Sequence, residues 1–532
     1  MAFLTNSLWV DVALAIFTLI IVIILYFNEK YKYWKNRGVP YVKPLLVFGS
    51  FKDNLLGKEN VFEVHNRIYD ELKGERFGGF YEFNMPNLMI RDPDLIYKML
   101  VKDFAHFHDR AMFPTDPKND PLTNTISTLT GHEWRTLRHK LTPTFTSGKL
   151  KGMIEQIQNS GETLLSKFNT LASNKQDVEA RDILSEFTID VIASCAFGLQ
   201  FKMDSQEGQR FKEMVFKAFP ATRFASLVML LRLLYTRFAS FLGITMFSKE
   251  VTEYFLNLSK ETVRYRKEQG VKRNDFLQLL MNLKENEENK NVSNSVDDDV
   301  EEDDVVNQLK FSSVYSKDLQ NQKVMTEGCL AATSFLFLAA GTEVSSAMVY
   351  AMYALAMNPK IQEKLQQEID EVLAKHKNLS HQALKEMVYL DKVLCESMRM
   401  YPINSFINRV CTIPYRVPDS DFVIEKGTRI NIPVWAIHHD PKYYPDPEVF
   451  DPERFPEPNY KPTPTYLPFG DGPRICIAMR FVVLEMKVCI SRIMSQYTVS
   501  LSKKMKLPIQ FEPKGFSPRV KGGLWITVEK RK

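Results

Sequence analysis

The stretch from Phe469 to Ala478, FGDGPRICIA, sets a lone cysteine, Cys476, behind a glycine-bearing turn. A helical pattern carried by Met479, Phe481, Val482, Leu484, Glu485 and Met486 follows it. A sulfur at a helix start faces unpaired backbone N–H groups and the positive end of the dipole, which lower a thiol's pKa and steady its anion. Gly470 and Gly472 permit backbone angles and close approaches that a Cβ would obstruct. Arg474 adds a fixed cation to the same loop. These features suit a chain that presents one thiolate from the loop. A thiolate-held cofactor with carboxylates of its own suits it, and haem is the natural candidate. A buried structural cysteine is the plain alternative for any isolated residue of this type.

The loop resembles the haem-binding loop of the cytochrome P450 family, F-x-x-G-x-R-x-C-x-G. Phe469, Gly472, Arg474 and Cys476 match, and Ala478 replaces the last glycine. The resemblance implies Cys476 as the axial ligand of haem b, with Ala478, the mildest replacement, packing more tightly beneath it. It extends from about Pro40 to the C-terminus. VKDFAHFHDR, WRTLRHKLTPTFTSGKLKGM and FVIEKGTRINIPVWAIHHDPKYYPDPEVFDPERF look like the insect xenobiotic-metabolising branch nearest the vertebrate drug-oxidising members of the microsomal class. The fold implied is one large, mainly α domain with small β-sheets, preceded by one N-terminal transmembrane helix. Length alone would suggest about three or four domains.

A net charge of +5 over 532 residues is too small to argue for nucleic acid. Cys195, Cys329, Cys395, Cys411, Cys476 and Cys489 lie far apart without a C-x-x-C pair, so neither a disulfide framework nor a zinc site is expected.

From Leu8 to Phe27 the chain is apolar apart from Asp11 and Thr18, long enough for a bilayer's hydrocarbon core. Asp11 sits near one end, where its cost is far below the roughly 3 kcal/mol of a central charge. Lys30, Lys32, Lys35 and Arg37 follow, so the positive-inside rule puts the N-terminus across the membrane and the remainder in the cytosol. No A-x-A-like site precedes them, which weighs against a cleaved signal peptide. The expected organisation is a membrane anchor over 1–28, a basic, proline-bearing linker over 29–45 and a haem-thiolate catalytic domain over 46–532. By resemblance the anchor holds the endoplasmic reticulum membrane, with the catalytic domain on its cytosolic face. The sequons at Asn257, Asn291 and Asn378 then stay unglycosylated.

Between about Phe51 and Pro93 the pattern suggests a small sheet, and after Trp134 helical patterns dominate. Phe224 to Phe247 is apolar with scattered basic residues; core packing and membrane dipping both fit it, and the resemblance favours dipping. The acidic run from Lys284 to Asp304 reads as a disordered surface insertion.

Val324 to Met357 is a long apolar helical pattern with Glu343 and several hydroxyls near its middle, which suits a buried helix better than a second span. Ala340, Gly341, Thr342, Glu343, Val344 and Ser345 resemble the family's A-G-x-[DE]-T-[TS] segment on the distal side of the haem. Glu343 and Ser345 match, and Val344 takes the threonine position. Proton delivery is then left to Glu343, Ser345, Thr342, water or the substrate. Glu396 and Arg399 resemble the family's E-x-x-R pair, with Arg454 of FDPERF as its partner, a network that holds the haem loop. Trp134, Arg138, Arg110, Arg409 and Arg474 match the residues that clamp the propionates. Phe113, Leu122, Phe335, Phe337, Ala339, Ile403, Phe406 and Phe516 are pocket candidates by the same resemblance.

The implied function is a membrane-anchored haem-thiolate monooxygenase acting on lipophilic small molecules, xenobiotics or endogenous lipids and hormones. Electrons come from NADPH through NADPH–cytochrome P450 reductase, with cytochrome b5 as an optional further partner. Arg135, Lys140, Lys149, Lys151, Arg480 and Lys487 are candidates for meeting an acidic flavoprotein surface. Two alternatives stay open: a peroxide-rearranging isomerase or dehydratase that needs no reductase, for which Val344 is the evidence, and a catalytically dead haem or hydrophobe binder.

Overall fold

The computed structural model describes residues 7–110, 116, 118–199, 205–218, 242–288, 324–458, 460–513, 515 and 517–531. Its longest described helix, Glu327–Met357, starts where the Thr326 side chain accepts the Cys329 N–H at 3.1 Å. This helix is apolar around its circumference and mostly buried, as a helix through the centre of a large core must be. Small residues let neighbours approach closely. A Cβ on Gly341 would lie 2.5 Å from Ile192 Cγ1 on helix Ala180–Phe197. Helices Lys249–Gln269, Phe276–Glu288, Pro359–His376, Val388–Met400 and Met479–Gln496 also pack on the central helix. It is the core helix expected, not a second span.

A smaller core lies on a four-stranded sheet in the order β1 (Phe77–Glu82), β2 (Met85–Ile90), β7 (Arg429–Ile432), β4 (Ile407–Val410). β1 and β2 pair antiparallel with Phe77 opposite Ile90, β2 and β7 run parallel, and β7 and β4 pair antiparallel with Arg409 opposite Ile430. β3 (Asp177–Glu179), β9 (Trp525–Lys530) and β8 (Tyr497–Leu501) form a second sheet, and β5 (Tyr415–Arg416) with β6 (Val423–Ile424) a third. The sheet expected over 51–93 occupies only its second half. Residues Val61–Glu71 are a helix, because Asn60 and Glu63 form a capping box that favours it.

The Leu8–Lys30 helix is long and apolar enough to cross a bilayer and buries none of its residues, which fits a single N-terminal membrane helix. The segment after it is not a linker. Trp34 is fully buried and donates Nε1–H to Phe80 O at 3.2 Å, and Val39 and Val42 join the same core. The Tyr31 hydroxyl donates to Leu45 O at 3.0 Å and accepts the Gly49 N–H at 3.1 Å, while Tyr81 OH donates to Tyr31 O at 2.9 Å.

The acidic insertion is also corrected at its start. Residues Lys284 to Glu288 complete the Phe276–Glu288 helix; Glu287 pairs with Lys140 and accepts the Val324 and Met325 N–H groups at 3.0 and 2.9 Å. Residues 289–323, and 224–241 of the second apolar stretch, lie outside the described residues.

Candidate active site

The Cys476 loop depends on glycine. Gly470 and Gly472 stand at φ +76° and +68°, and a Cβ on Gly472 would lie 1.8 Å from Leu100 O. Asp471 Oδ1 accepts the Gly472 N–H at 2.6 Å, a 3-10 turn covers Gly472–Arg474, and the Cys476 N–H returns to Phe469 O at 2.9 Å. Cys476 is partly exposed, whereas the other five cysteines are buried. Its expected low thiol pKa is not found. Burial pushes the thiol up, and the Ala478 N–H with the Arg138 and Arg110 charges offsets only part of that. The helix itself starts at Met479 behind an Ala478 cap, so its dipole begins too far along the chain to dominate.

Guanidinium groups crowd beside the sulfur. Arg474 donates Nε, Nη1 and Nη2 to the carbonyls of His108, Ile126 and Leu129 at 2.8, 3.0 and 2.8 Å, and lies 3.9 Å over the Trp134 ring. Most of its donors are engaged, so Arg474 braces the loop. Arg110 donates Nη2 to Arg474 O at 3.2 Å, and Arg409 donates Nη1 to Asn408 O at 2.8 Å. The Nε groups of Arg138 and Arg409 are buried without a partner. Burial, then repulsion from Arg110, holds Arg409 down at about 9, and Arg474 falls to about 8 for the same reasons. Burial brings Arg138 to about 10. Asp109, 3.7 Å from Arg474, and Asp471 beside Arg409 are too few to neutralise the cluster. A soft sulfur for iron, with buried cations that leave the Nε–H groups of Arg138 and Arg409 unengaged, is the donor set that a haem and its two propionates fit.

Behind the loop, Arg399 donates Nε and Nη2 to the two oxygens of Glu396 at 2.7 and 2.9 Å; both residues are fully buried. Arg454 Nε lies 3.4 Å from Glu396 Oε1, which also accepts the Asp451 N–H at 3.0 Å. Arg399 continues to the carbonyls of His438 and Pro447 at 2.8 and 2.7 Å. The structure therefore brings the three expected network residues together. It adds one that sequence reasoning did not single out. The His438 imidazole bridges Arg399 O at Nδ1 (3.1 Å) and the Leu467 N–H at Nε2 (2.9 Å), coupling the Glu396 helix to the strand of chain that enters the loop.

On the central helix Ala339, Ala340, Thr342 and Glu343 retain exposure in an otherwise buried span. Ser345 does not share that face. Its hydroxyl donates to Thr342 O at 2.7 Å and meets Ser185 Oγ at 3.2 Å in the seam with helix Ala180–Phe197. Thr342 Oγ1 turns back to Ala339 O at 2.8 Å, and Val344 is buried. Glu343 accepts a hydrogen bond from Ser517, a residue with no sequence signal to single it out.

Of the pocket candidates, Phe335 packs on Phe247 and Phe255 with centroids at 4.8 and 4.9 Å, and Phe337 on Phe145 and Phe276 at 5.5 and 5.1 Å, so both are core rings. Leu122 is buried in the same core, and Ile403 is partly buried against it. Phe406 sits on His65 at 4.7 Å. Phe113 and Phe516 lie outside the described residues. Two of the basic candidates for partner docking are engaged within the fold: Lys140 with Glu287, and the buried Lys487 with Asp391 at 2.7 Å.

Loop, cations and helix together define a haem-thiolate protein. The cytochrome P450 family profile matches residues 39–303 and 294–526. The chain is 36% identical to the probable cytochrome P450 6a14 of Drosophila melanogaster over 94% of this chain and 96% of that protein. It is 34% identical to cytochrome P450 6B1 of Papilio polyxenes (95% and 97% covered) and 33% identical to cytochrome P450 6j1 of Blattella germanica (99% and 99%). The chain belongs to the cytochrome P450 family. With membership come the haem-thiolate cofactor, NADPH-derived electrons and monooxygenase chemistry.

Proposed function

We propose that this chain inserts one oxygen atom from dioxygen into lipophilic small molecules, xenobiotics such as plant toxins and insecticides or endogenous lipids and hormones. NADPH–cytochrome P450 reductase supplies the electrons, and cytochrome b5 is a further donor. Held by Cys476, the haem supplies the family's dioxygen-cleaving chemistry. Arg110, Arg138 and Arg409 bind its carboxylates, Gly472 and Arg474 keep the loop rigid, and Glu396, Arg399 and Arg454 hold the loop from behind. Glu343 is the acid that handles protons, and Ala339, Ile403 and Phe406 border the substrate. The body from residue 46 onward works at the cytosolic face of the endoplasmic reticulum, anchored by residues 1–28.

The observation that carries this reading is the gathering of buried guanidiniums, with the Nε–H groups of Arg138 and Arg409 unpartnered, on the side of the fold that presents the partly exposed residue Cys476. The test is the reduced, carbon monoxide-treated spectrum of the full chain. A thiolate-type Soret band is expected for the unmutated protein and must vanish in Cys476→Ser. Val344 supports one second reading, rearrangement of peroxides without a reductase. NADPH consumption with oxygenated product favours the monooxygenase; turnover with added hydroperoxide alone favours the isomerase or dehydratase.

A further inference from the structure

Four side chains along the central helix show how its polar groups are disposed. Gly341 and Ser345 face Ile192 and Ser185 on helix Ala180–Phe197. Glu343, Ser346 and Tyr350 lie on another stripe, spaced at the intervals that bring residues onto one helical face. Ser517 donates its hydroxyl proton to Glu343 Oε2, and Tyr350 OH donates to Pro518 O at 2.8 Å. Arg181 Nη1 donates to Ser346 Oγ at 2.9 Å and lies near enough to Glu343 to feel its charge. The C-terminal loop at Ser517 and Pro518 is thus fastened to this stripe at two points, two helical turns apart.

The hydroxyls on the helix itself are engaged elsewhere. Thr342 bonds to Ala339 O, and Ser345 bonds to Thr342 O and Ser185. Val344 brings no hydroxyl. Among the described residues, the side chain hydrogen-bonded to the Glu343 carboxylate is Ser517, itself buried.

We propose that Ser517 is a positioning residue for Glu343, fixing the carboxylate that a hydroxyl at position 344 would otherwise help to organise. The inference rests on the monooxygenase reading above and deepens it. Ser517 acts from a loop 174 residues away in sequence, so the central helix can carry valine and still hold its acid in one rotamer. A hydrogen bond to a charged group is worth enough to change its placement about ten-fold when lost.

The test uses the full-length haem protein in membranes with reductase. The infrared band of the Glu343 carboxylate, located by difference against Glu343→Gln, is expected to move in Ser517→Ala and to stay in place in Ser517→Thr. Product formed per NADPH is expected to fall about ten-fold in Ser517→Ala, with peroxide rising, and to recover in Ser517→Thr. In a Val344→Thr background the same Ser517→Ala change should cost distinctly less. An unmoved band, unchanged coupling, or equal losses in both backgrounds would overturn the proposal. If the unmutated protein gives no NADPH-supported product, the reaction class falls, while the infrared band still decides whether Ser517 positions Glu343.

Discussion

The Cys476 loop and the middle of the Glu327–Met357 helix are built in opposite ways. The loop is held redundantly: three backbone carbonyls on Arg474, a glycine pressed on Leu100 O, and a buried Glu396–Arg399 pair behind it. Glu343 on the helix is held by one hydroxyl from a distant loop and the field of Arg181. A ligand that must never leave its place is over-determined. On the function proposed above, the group held lightly is the one that handles protons.

The largest expected effect lies on the redundant side. Glu396→Ala leaves Arg399 buried and unpaired and should cost on the order of 3–5 kcal/mol, read as a lowered urea midpoint and lost haem. Gly472→Ala should cost about 3 kcal/mol, because strain at positive φ combines with a backbone clash. A midpoint unchanged in either variant would show that the loop does not depend on that support. Arg409→Met sharpens the comparison by its sign. Haem retention should weaken by about ten- to a hundred-fold, whereas the haem-free protein should gain stability as the repulsion among arginines eases.

The pH response comes next. Burial lowers His438 and His65 to about 3, from an ordinary value of 6.5. Both therefore stay neutral in the fold while the unfolded chain takes up protons below 6.5. Their contribution to stability should be constant above that pH and be lost toward pH 3, by at most about 1.4 kcal/mol per unit per histidine. Urea midpoints between pH 7.5 and 5 measure the slope, and His65→Phe should flatten it. The smallest effect belongs to the lightly held side. Val344→Thr, whose buried hydroxyl can bond back to a carbonyl of its own helix, should cost about 1 kcal/mol of stability yet reduce peroxide leakage measurably.

What could be read beforehand divides along the same line. The glycine turn before Cys476 and the Glu396–Arg399 pair were legible, the first from its residues and the second through the family resemblance, because each constellation spans only a few residues. Glu343's partner was not, since the sequence carries no trace of a contact between residues 343 and 517. Phe335 and Phe337, pocket candidates by resemblance alone, pack as core rings; a helix apolar all round gives no sign of which face meets core and which meets substrate. Ser345 failed likewise, because its orientation is set by Ser185 on a neighbouring helix. The stretch 29–45 looked like a tether by its prolines and lysines, and only the sheet that receives Trp34 reveals otherwise.

That buried indole has a consequence for how the enzyme rides its membrane. With Trp34 seated under Phe80 and the Tyr31 phenol clasped between Leu45 and Gly49, there is no slack between span and body. Rolling or tilting of the one is transmitted to the other, so the heading at which the body meets the lipid surface is written into the joint itself.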